Sequence, residues 1–205
     1  MRIISGTNKG KKLSSIPGRD IRPTSDRARE AVFNILGQRT IGAQVLDLFA
    51  GTGALGLEAL SRGAEEVCFI DVSQTACAVI KKNIELCRCH DRATLICQDL
   101  TRQVIPFNLD LEKKKFDLIF MDPPYGGHFL KAALTDPGLR QAMGEDTLII
   151  AEHSVKEKGV ESISGLDIMD QRKYSRSLIT FFTRTQESVR NECIENGAYI
   201  HGKHT

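Results

Sequence analysis

The sequence predicts an α/β fold in which a mostly parallel sheet has helices on both faces and an antiparallel last strand. Three observations support this prediction. Apolar strand-like segments alternate with helical segments after Gly42, as in repeated βα units. A glycine-rich turn joins the first of these strands to the helix that follows it. The last two strand segments, 166–174 and 177–184, lie close enough in the chain to form an antiparallel hairpin.

The individual elements follow from the apolar periodicity of the chain. Residues 2–13 alternate weakly around Gly6 and an Asn-Lys-Gly turn, which predicts a short hairpin. Thr24 or Ser25 then caps a helix that ends at Gly37. In the core, strands are predicted at 44–49, 66–71, 93–97, 116–121 and 147–152, and helices at 54–62, 73–87 and, in parts, 128–143.

Charge is distributed unevenly along the chain. The net charge of all 205 residues is +2, but residues 1–29 hold eight basic and two acidic side chains, a net of +6. A basic end on an acidic body is typical of a segment that binds a polyanion, although a solvated face is the plainer interpretation. The sequence predicts a basic hairpin and helix over 1–40, a core over 41–184 and a polar tail over 185–205.

The composition is that of an ordinary soluble protein. No apolar run approaches about 20 residues, which predicts no transmembrane helix, and the first residues lack the apolar core of a signal peptide. The six cysteines contain no CxxC pair, so buried, reduced thiols are expected rather than zinc ligands or disulfides. We therefore expect a cytoplasmic protein without a bound metal. The cysteines are Cys68, Cys77, Cys87, Cys89, Cys97 and Cys193.

A glycine-rich loop follows the first core strand. Gly51, Gly53 and Gly56 have the GxGxxG spacing between a predicted strand and a predicted helix. Glycine permits positive φ and lets a ligand approach the backbone closely. Asp71 ends the next strand, where a carboxylate can accept hydrogen bonds from ribose hydroxyls. The loop indicates a nucleotide-like cofactor, with a tight turn that binds nothing as the plainer alternative.

Acidic residues near this loop favour S-adenosylmethionine over a nicotinamide dinucleotide. Asp47 lies within the strand before the loop, where it would repel a pyrophosphate but attract an ammonium or sulfonium group. Asp99 follows the third core strand, in a place to accept a hydrogen bond from an adenine amino group. With Asp71 and Asp122, these acids fall at or near the carboxyl ends of strands, where open α/β sheets bind ligands.

The segment Asp122-Pro123-Pro124-Tyr125 follows the apolar strand 116–121. Proline cannot donate to a strand ladder, so the strand must end here. An acid, a rigid turn and an aromatic ring are thereby fixed at a strand's carboxyl end. A loop breaker after an edge strand is the plainer interpretation of these residues taken alone.

Together these motifs resemble the bacterial 16S ribosomal RNA guanine-N2 methyltransferases of the RsmD type. The glycine loop and DPPY occur in many amino-methyltransferases, whereas RPTSDRAREAVFNIL joined to that loop is much more specific. The similarity ends at about Arg184. The matching stretches are RIISGTNKGKKL (2–13), IRPTSDRAREAVFNIL (21–36), DLFAGTGALGLEALSRGA (47–64), FIDVS (69–73), QDL (98–100), FMDPPY (120–125) and RKYSRSLITFFTR (172–184).

The resemblance implies a class I (Rossmann-like) methyltransferase sheet preceded by an RNA-binding hairpin and helix. It implies transfer of a methyl group from S-adenosylmethionine to N2 of guanine 966 in 16S rRNA. The expected cofactor-binding residues are Asp47, Phe49, Ala50, Gly51, Thr52, Gly53, Asp71, Val72, Asp99 and Leu100. The expected RNA-binding residues are Arg2, Lys9, Lys11, Lys12, Arg22, Thr24, Arg27 and Arg29.

The target base is expected to lie against Asp122, Pro123, Pro124 and Tyr125. An exocyclic amino nitrogen is a poor nucleophile because its lone pair is delocalised into the ring. The Asp122 carboxylate and the Pro123 carbonyl can accept its two hydrogens and so orient that lone pair. The Tyr125 ring can stack on a base that is flipped out of its helix or loop.

Three alternatives are open from the sequence. The DPPY segment also suits adenine-N6 methylation of DNA or RNA, although about 205 residues leave little room for a DNA-recognition region. An NAD-dependent oxidoreductase and a non-catalytic RNA-binding protein are the others. The expected partner is ribosomal RNA, either naked or within a partly assembled small ribosomal subunit, and a monomer is favoured over an oligomer.

Overall fold

A computed structural model describes residues 1–17, 26–100, 115–124 and 129–185 of the chain. Five α-helices and seven β-strands lie within these ranges, in the order that the sequence predicts. The helices are α1 (Asp26–Leu36), α2 (Ala54–Ser61), α3 (Gln74–Cys87), α4 (Phe129–Thr135) and α5 (Pro137–Ala142). The strands are β1 (Gln44–Leu48), β2 (Glu66–Asp71), β3 (Ala93–Cys97), β4 (Phe116–Met121), β5 (Met143–Ser154), β6 (Leu166–Tyr174) and β7 (Ser177–Arg184).

All seven strands form one sheet in the order β3-β2-β1-β4-β5-β7-β6. Strands β3, β2, β1, β4 and β5 pair in parallel, whereas β7 is antiparallel to both of its neighbours. The predicted α/β sheet with an antiparallel end is therefore confirmed. The chain runs outward from β1 to β3 and then returns to β4 on the other side of β1. Ligands bind open α/β sheets at the carboxyl ends of strands beside such a reversal.

Helices cover both faces of the sheet. On one face α1, α2 and α3 pack on alternate strand residues, among them Val45, Phe69 and Phe120. On the other face α4 and α5 pack on the intervening residues, among them Leu46 and Leu48. Strand β1 is consequently buried on both sides, which explains why it reads as an almost continuous apolar run.

The helix boundaries show how local capping decides the details. The Ser73 hydroxyl accepts a hydrogen bond from Ala76 N at 3.3 Å, which fixes the start of α3 where the sequence predicts it. The predicted helical region 128–143 is divided, because Asp136 caps a new helix by accepting from Leu139 N at 3.1 Å. Strand β5 begins earlier than predicted, at Met143. The predicted caps Thr24 and Ser25 lie outside the described residues.

The amino-terminal residues form the predicted hairpin and join the main core. Arg2 and Lys12 are paired in an antiparallel bridge, and Ile3 N donates to Lys11 O at 3.0 Å. Ile3 and Leu13 are buried in the same apolar cluster as α1 and α2. The hairpin is thus packed on the sheet's helical layer instead of projecting from it.

The cysteine prediction is wrong in one respect. Cys77, in the first turn of α3, forms a disulfide with Cys97 at the end of β3, with their Cα atoms 6.3 Å apart. The two residues are 20 positions apart in the chain, so only the packing of α3 beside β3 reveals the pair. Cys68, Cys87 and Cys89 are buried and keep their thiols, and Cys193 lies outside the described residues.

No helix within the described ranges has the length and apolar character needed to cross a membrane. Within those ranges, no three His, Cys, Asp or Glu side chains are grouped in a way that could hold a metal ion.

Candidate active site at the carboxyl ends of β1, β2 and β4

The predicted glycine loop is a strained turn between β1 and α2. Phe49, Gly51 and Gly53 all have left-handed backbones, with φ of +58°, +57° and +74°. Gly53 N donates to Ala50 O at 2.7 Å, which closes the turn just before α2 begins. A left-handed conformation costs a bulky residue such as Phe49 on the order of 1–3 kcal/mol, and such strain is concentrated at functional sites.

Asp71 holds the glycine loop in place. Its Oδ2 accepts a hydrogen bond from Gly51 N at 2.8 Å, and its Oδ1 accepts from Ser73 N at 2.8 Å. Asp71 is buried. Each carboxylate oxygen has a second lone pair, so Asp71 can still accept a hydrogen bond from a ligand. The sequence placed Asp71 beside the loop correctly but did not show that it also orders the loop.

Asp47 is buried on the side of the sheet that α2 covers. Its Oδ2 accepts a hydrogen bond from Gly56 N at 2.9 Å. Burial, together with the negative charges of Asp122 and Asp71, raises the pKa of Asp47 to about 8, and the hydrogen bond from Gly56 N opposes that rise. Three of the four predicted acids therefore act on one another at this edge of the sheet.

Gly56 has a different role from the two glycines of the turn. It lies within α2, and a Cβ atom at this position would be 2.4 Å from Cε1 of Phe69 and 2.7 Å from Cγ1 of Val67. Only glycine lets the helix come close enough to β2 for its backbone N–H to reach Asp47.

The segment after β4 brings a further acid to the same edge. Met121 pairs with Leu48 in the register of β4 and β1, so Asp122 and Phe49 follow at the same level. Asp122 is half-buried, Pro123 is buried and Pro124 is exposed. Tyr125 lies outside the described residues.

The segment after β3 brings the fourth predicted acid, Asp99, to this edge of the sheet. Gln98 N donates to Asp71 O at 3.0 Å, which brings residues 98–100 beside the end of β2. Asp99 is half-buried, and Leu100 is buried in the apolar cluster of α4 and α5. Val72 is 58% exposed, so an apolar side chain faces outward next to Asp71.

This edge fits a cationic ligand better than an anionic one. Burial and the charges of Asp122 and Asp71 raise the pKa of Asp47, which shows that negative charge is already unfavourable at this edge. A pyrophosphate would add more negative charge, whereas an ammonium or sulfonium group would relieve the repulsion among the acids. The residues present therefore suit S-adenosylmethionine.

The predicted RNA-binding residues divide into surface and interior positions. Arg29 is 1% exposed, so its assignment to the RNA-binding surface is wrong. Its guanidinium donates to Arg2 O and to Asp26 Oδ1, and its Nε lies 3.8 Å from Glu58 Oε2. Burial lowers the pKa of Arg29, whereas the negative charges of Glu58 and Asp26 act to raise it.

The exposed basic residues surround a cleft between the hairpin and α1. Arg2, Lys9 and Arg27 line it with Asp26 and Glu30, and its volume is about 410 Å³. The Arg2 side chain is largely exposed, with its Nε 3.7 Å from Asp26 Oδ2.

The remaining predicted RNA-binding residues lie elsewhere. Lys11 Nζ donates to Leu86 O at 2.8 Å and so caps the end of α3. Lys12 is exposed. Arg22 and Thr24 lie outside the described residues.

Sequence reasoning missed three polar residues that attach the hairpin to the core. Glu58, Ser61 and Asn83 are 0%, 2% and 0% exposed. Glu58 accepts from Ile4 N at 2.7 Å and Ser5 N at 3.0 Å. In the sequence, these residues could have been found only as polar side chains on the apolar face of a predicted helix.

Comparisons with known proteins match from 66% to 90% of the chain. The model of the family described as conserved hypothetical protein 95 matches residues 1–183. The YlbH protein of Bacillus subtilis is 35% identical over 184 residues, which cover 90% of this chain and 99% of that protein. Ribosomal RNA small subunit methyltransferase D of Escherichia coli is 31% identical over 166 residues, which cover 80% and 79% of the two chains. The Haemophilus influenzae protein of that name is 37% identical over 139 residues, covering 66% and 69%.

Two solved structures have the same fold. The yhhF protein of Escherichia coli aligns with a TM-score of 0.78 and 28% identity, covering 90% of this chain and 97% of that one. HI0767 of Haemophilus influenzae aligns with a TM-score of 0.74 and 28% identity, covering 90% and 98%.

Proposed function

The chain belongs to the RsmD-type family described as conserved hypothetical protein 95, and on that premise we propose that it methylates ribosomal RNA with S-adenosylmethionine. The observation that carries this proposal is the edge of the sheet where a strained glycine loop meets Asp47, Asp71 and Asp122. Relatives named ribosomal RNA small subunit methyltransferase D support the choice of substrate.

Each part of the donor has a partner in the proposed site. Asp71 accepts hydrogen bonds from the ribose hydroxyls, and Asp99 accepts one from the adenine amino group. Val72 and Leu100 offer apolar contacts on either side of these acids. The loop from Asp47 to Gly53 lies against the amino-acid part, where the acids attract its ammonium group. When bound, S-adenosylmethionine supplies a methyl group on a sulfonium, which makes that methyl electrophilic.

The base is held by the segment after β4. We assign the Asp122 carboxylate and the Pro123 carbonyl as acceptors for the two hydrogens of an exocyclic amino group. The two prolines fix the direction of that carbonyl. Orientation of this kind can contribute about 7–11 kcal/mol to lowering a barrier. Asp122 then takes the surplus proton from the methylated nitrogen as a weak general base.

The finer substrate assignment comes from the resemblance. We propose guanine N2 as the acceptor, at position 966 of 16S rRNA, with the base flipped out of its stack and placed against Tyr125. The cleft lined by Arg2, Lys9 and Arg27 supports the proposal that RNA phosphates bind on the hairpin and α1. A monomer acting in the cytoplasm, on naked RNA or on a partly assembled small subunit, completes the proposal.

The decisive experiment is methylation in vitro with radiolabelled S-adenosylmethionine. Small-subunit rRNA from a strain that lacks its guanine-N2 methyltransferase serves as substrate, both naked and in partly assembled particles. The product nucleoside is identified by mass spectrometry. N2-methylguanosine supports the proposal, N6-methyladenosine favours the alternative target, and a methyl group on a ring carbon or on ribose overturns the proposed role of Asp122.

A further inference from the structure

A buried amide on α3 joins two segments that are far apart in the sequence. Asn83 is 0% exposed. Its Oδ1 accepts from Ser14 N at 2.7 Å, and its Nδ2 donates to Ser14 O at 3.1 Å and to Thr52 O at 2.9 Å. One side chain therefore holds both the segment that follows the hairpin and the glycine loop.

The segment that Asn83 holds follows α3 towards the active site. Lys11 contacts the carbonyl of Leu86 near the end of the helix, and Ser14 pairs with Asn83. Ile16 packs on Ala76 and Val79, nearer the helix start. Residues 11–16 thus run antiparallel to α3, towards the end at which the preceding strand places Asp71.

The contact on the loop side is equally specific. Thr52 lies between Gly51 and Gly53, both left-handed, and its carbonyl points to Asn83. Asn83 therefore fixes the orientation of the peptide that joins Thr52 to Gly53. Both hydrogens of the Nδ2 group are used, one on each segment. Aspartate lacks these donors and alanine makes none of the bonds.

The hairpin has other anchors that do not involve the loop. Ser61, at the far end of α2 from the glycine loop, accepts from Asn8 N at 2.9 Å and donates to Ser5 O. These contacts attach the hairpin turn, whereas Asn83 attaches the segment that leads to the donor edge. The two residues are similarly buried and lie on neighbouring helices, which makes Ser61 a matched control.

We propose that Asn83 is a positioning residue that couples binding of the donor to the arrangement of residues 11–16. A donor that orders the glycine loop fixes the Thr52 carbonyl, which in turn favours the bonded arrangement of Asn83 and Ser14. Because the proposed function assigns RNA binding to the hairpin and α1, the same link makes donor and RNA bind cooperatively. This last step rests on the RNA part of the proposed function, whereas the link to residues 11–16 rests only on binding of the donor at the glycine loop.

The experiment compares wild-type protein with Asn83→Ala and Ser61→Ala, using S-adenosylhomocysteine as the probe. Calorimetry measures its affinity without RNA, and amide hydrogen exchange measures protection of residues 11–16 with and without it. We expect S-adenosylhomocysteine to protect these amides in wild-type protein and in Ser61→Ala. In Asn83→Ala we expect affinity to fall about tenfold, as lost hydrogen bonds of this kind predict, and the ligand-dependent protection to disappear.

The same proteins are then tested for RNA affinity with and without S-adenosylhomocysteine. Cooperative binding in wild-type protein and in Ser61→Ala, lost in Asn83→Ala, supports the complete proposal. Unchanged protection of residues 11–16 on ligand binding in wild-type protein overturns the coupling, even if methylation of RNA succeeds. Protection without any methylation of RNA overturns the proposed function and leaves the link intact. If Asn83→Ala does not fold, Asn83→Ser replaces it, since one hydroxyl cannot bridge both segments.

Discussion

Two buried carboxylates, one on α2 and one on the adjoining strand β1, have opposite surroundings. Glu58 accepts from two hairpin amides, and its Oε1 lies 2.7 Å from Arg62 Nε, while Arg29 approaches its other oxygen at 3.8 Å. Asp47, near the start of the same helix, accepts from Gly56 N and is influenced by the charges of two other acids. At Glu58, hydrogen bonds and ion pairs neutralise the carboxylate and attach the hairpin to α2. At Asp47, repulsion from the other acids favours binding of a cation.

A cation–π contact extends the group of residues around Glu58 to α1. The Arg62 guanidinium carbon lies 4.9 Å from the ring centroid of Phe33, so the side chain that pairs with Glu58 also packs on α1. The Glu58 group therefore ties the hairpin, α1 and α2 together. Its role is structural, and the comparison with Asp47 can be tested by altering each site separately.

The largest effect is expected at Glu58. In Glu58→Ala, Arg29 stays buried without this partner and the amides of Ile4 and Ser5 lose their acceptor. Removal of one member of a buried ion pair costs about 3–5 kcal/mol in unfolding free energy. Urea denaturation measures this loss, and Glu30→Ala on the exposed side of α1 is the control. A loss below about 1 kcal/mol would contradict the structural role of Glu58.

Next in size is the effect of Asp122→Ala on catalysis. It removes one of the two proposed acceptors at the reacting nitrogen, so single-turnover methyl transfer should fall by about 10²–10³. Affinity for RNA should barely change, because phosphate contacts dominate it. Tyr125→Phe should be mild and Tyr125→Ala severe, since stacking on a base needs the ring alone. A near-normal rate for Asp122→Ala would remove this residue from the mechanism.

Asp71→Ala should weaken binding of S-adenosylhomocysteine by about 1–3 kcal/mol, because the ligand loses an acceptor and the Gly51 amide loses its partner. Calorimetry measures the affinity. Asp91→Ala is a control, since this acid lies in an exposed turn before β3. Equal affinities for the Asp71 variant and the wild-type protein would exclude Asp71 from the donor site.

The raised pKa of Asp47 should make the unfolding free energy of the protein depend on pH. The pKa of Asp47 is about 8 in the folded protein against an ordinary value of 3.8. The folded chain therefore retains a proton that the unfolded chain releases, and stability falls as pH rises between these values. The loss approaches about 1.4 kcal/mol per pH unit. Asp47→Asn should remove this slope between pH 5 and about pH 7 in denaturation experiments, and an identical slope would refute the assignment.

The smallest effect is expected on the salt dependence of RNA binding. Replacing Arg2, Lys9 and Arg27 by glutamine should weaken binding and reduce the slope of log K against log salt by about 0.7 per lost phosphate contact, the value for single strands. Donor binding should be unaffected. A matched triple replacement of Lys156, Lys158 and Lys173, far along the chain, is the control. If both sets behave alike, the basic cleft is only a solvated surface.

Much of the fold could be predicted from local signals in the sequence. Alternating strands and helices, the glycine spacing and the Pro123-Pro124 stop each act within a few residues, so they remain visible in a one-dimensional pattern. These signals predict that Asp47, Asp71 and Asp122 lie at the same edge of the sheet, since parallel strands end on one side.

Partnerships between distant residues were decided by the tertiary structure alone. Arg29 has the sequence signature of a surface cation, but packing of α1 on α2 buries it beside Glu58. Cys77 and Cys97 carry no motif, and they meet because α3 lies next to β3. Asn83 is unremarkable in the sequence, although it bonds to residues 69 and 31 positions away. Hydrogen bonds and ion pairs depend on distances of a few ångströms, which only the folded chain determines.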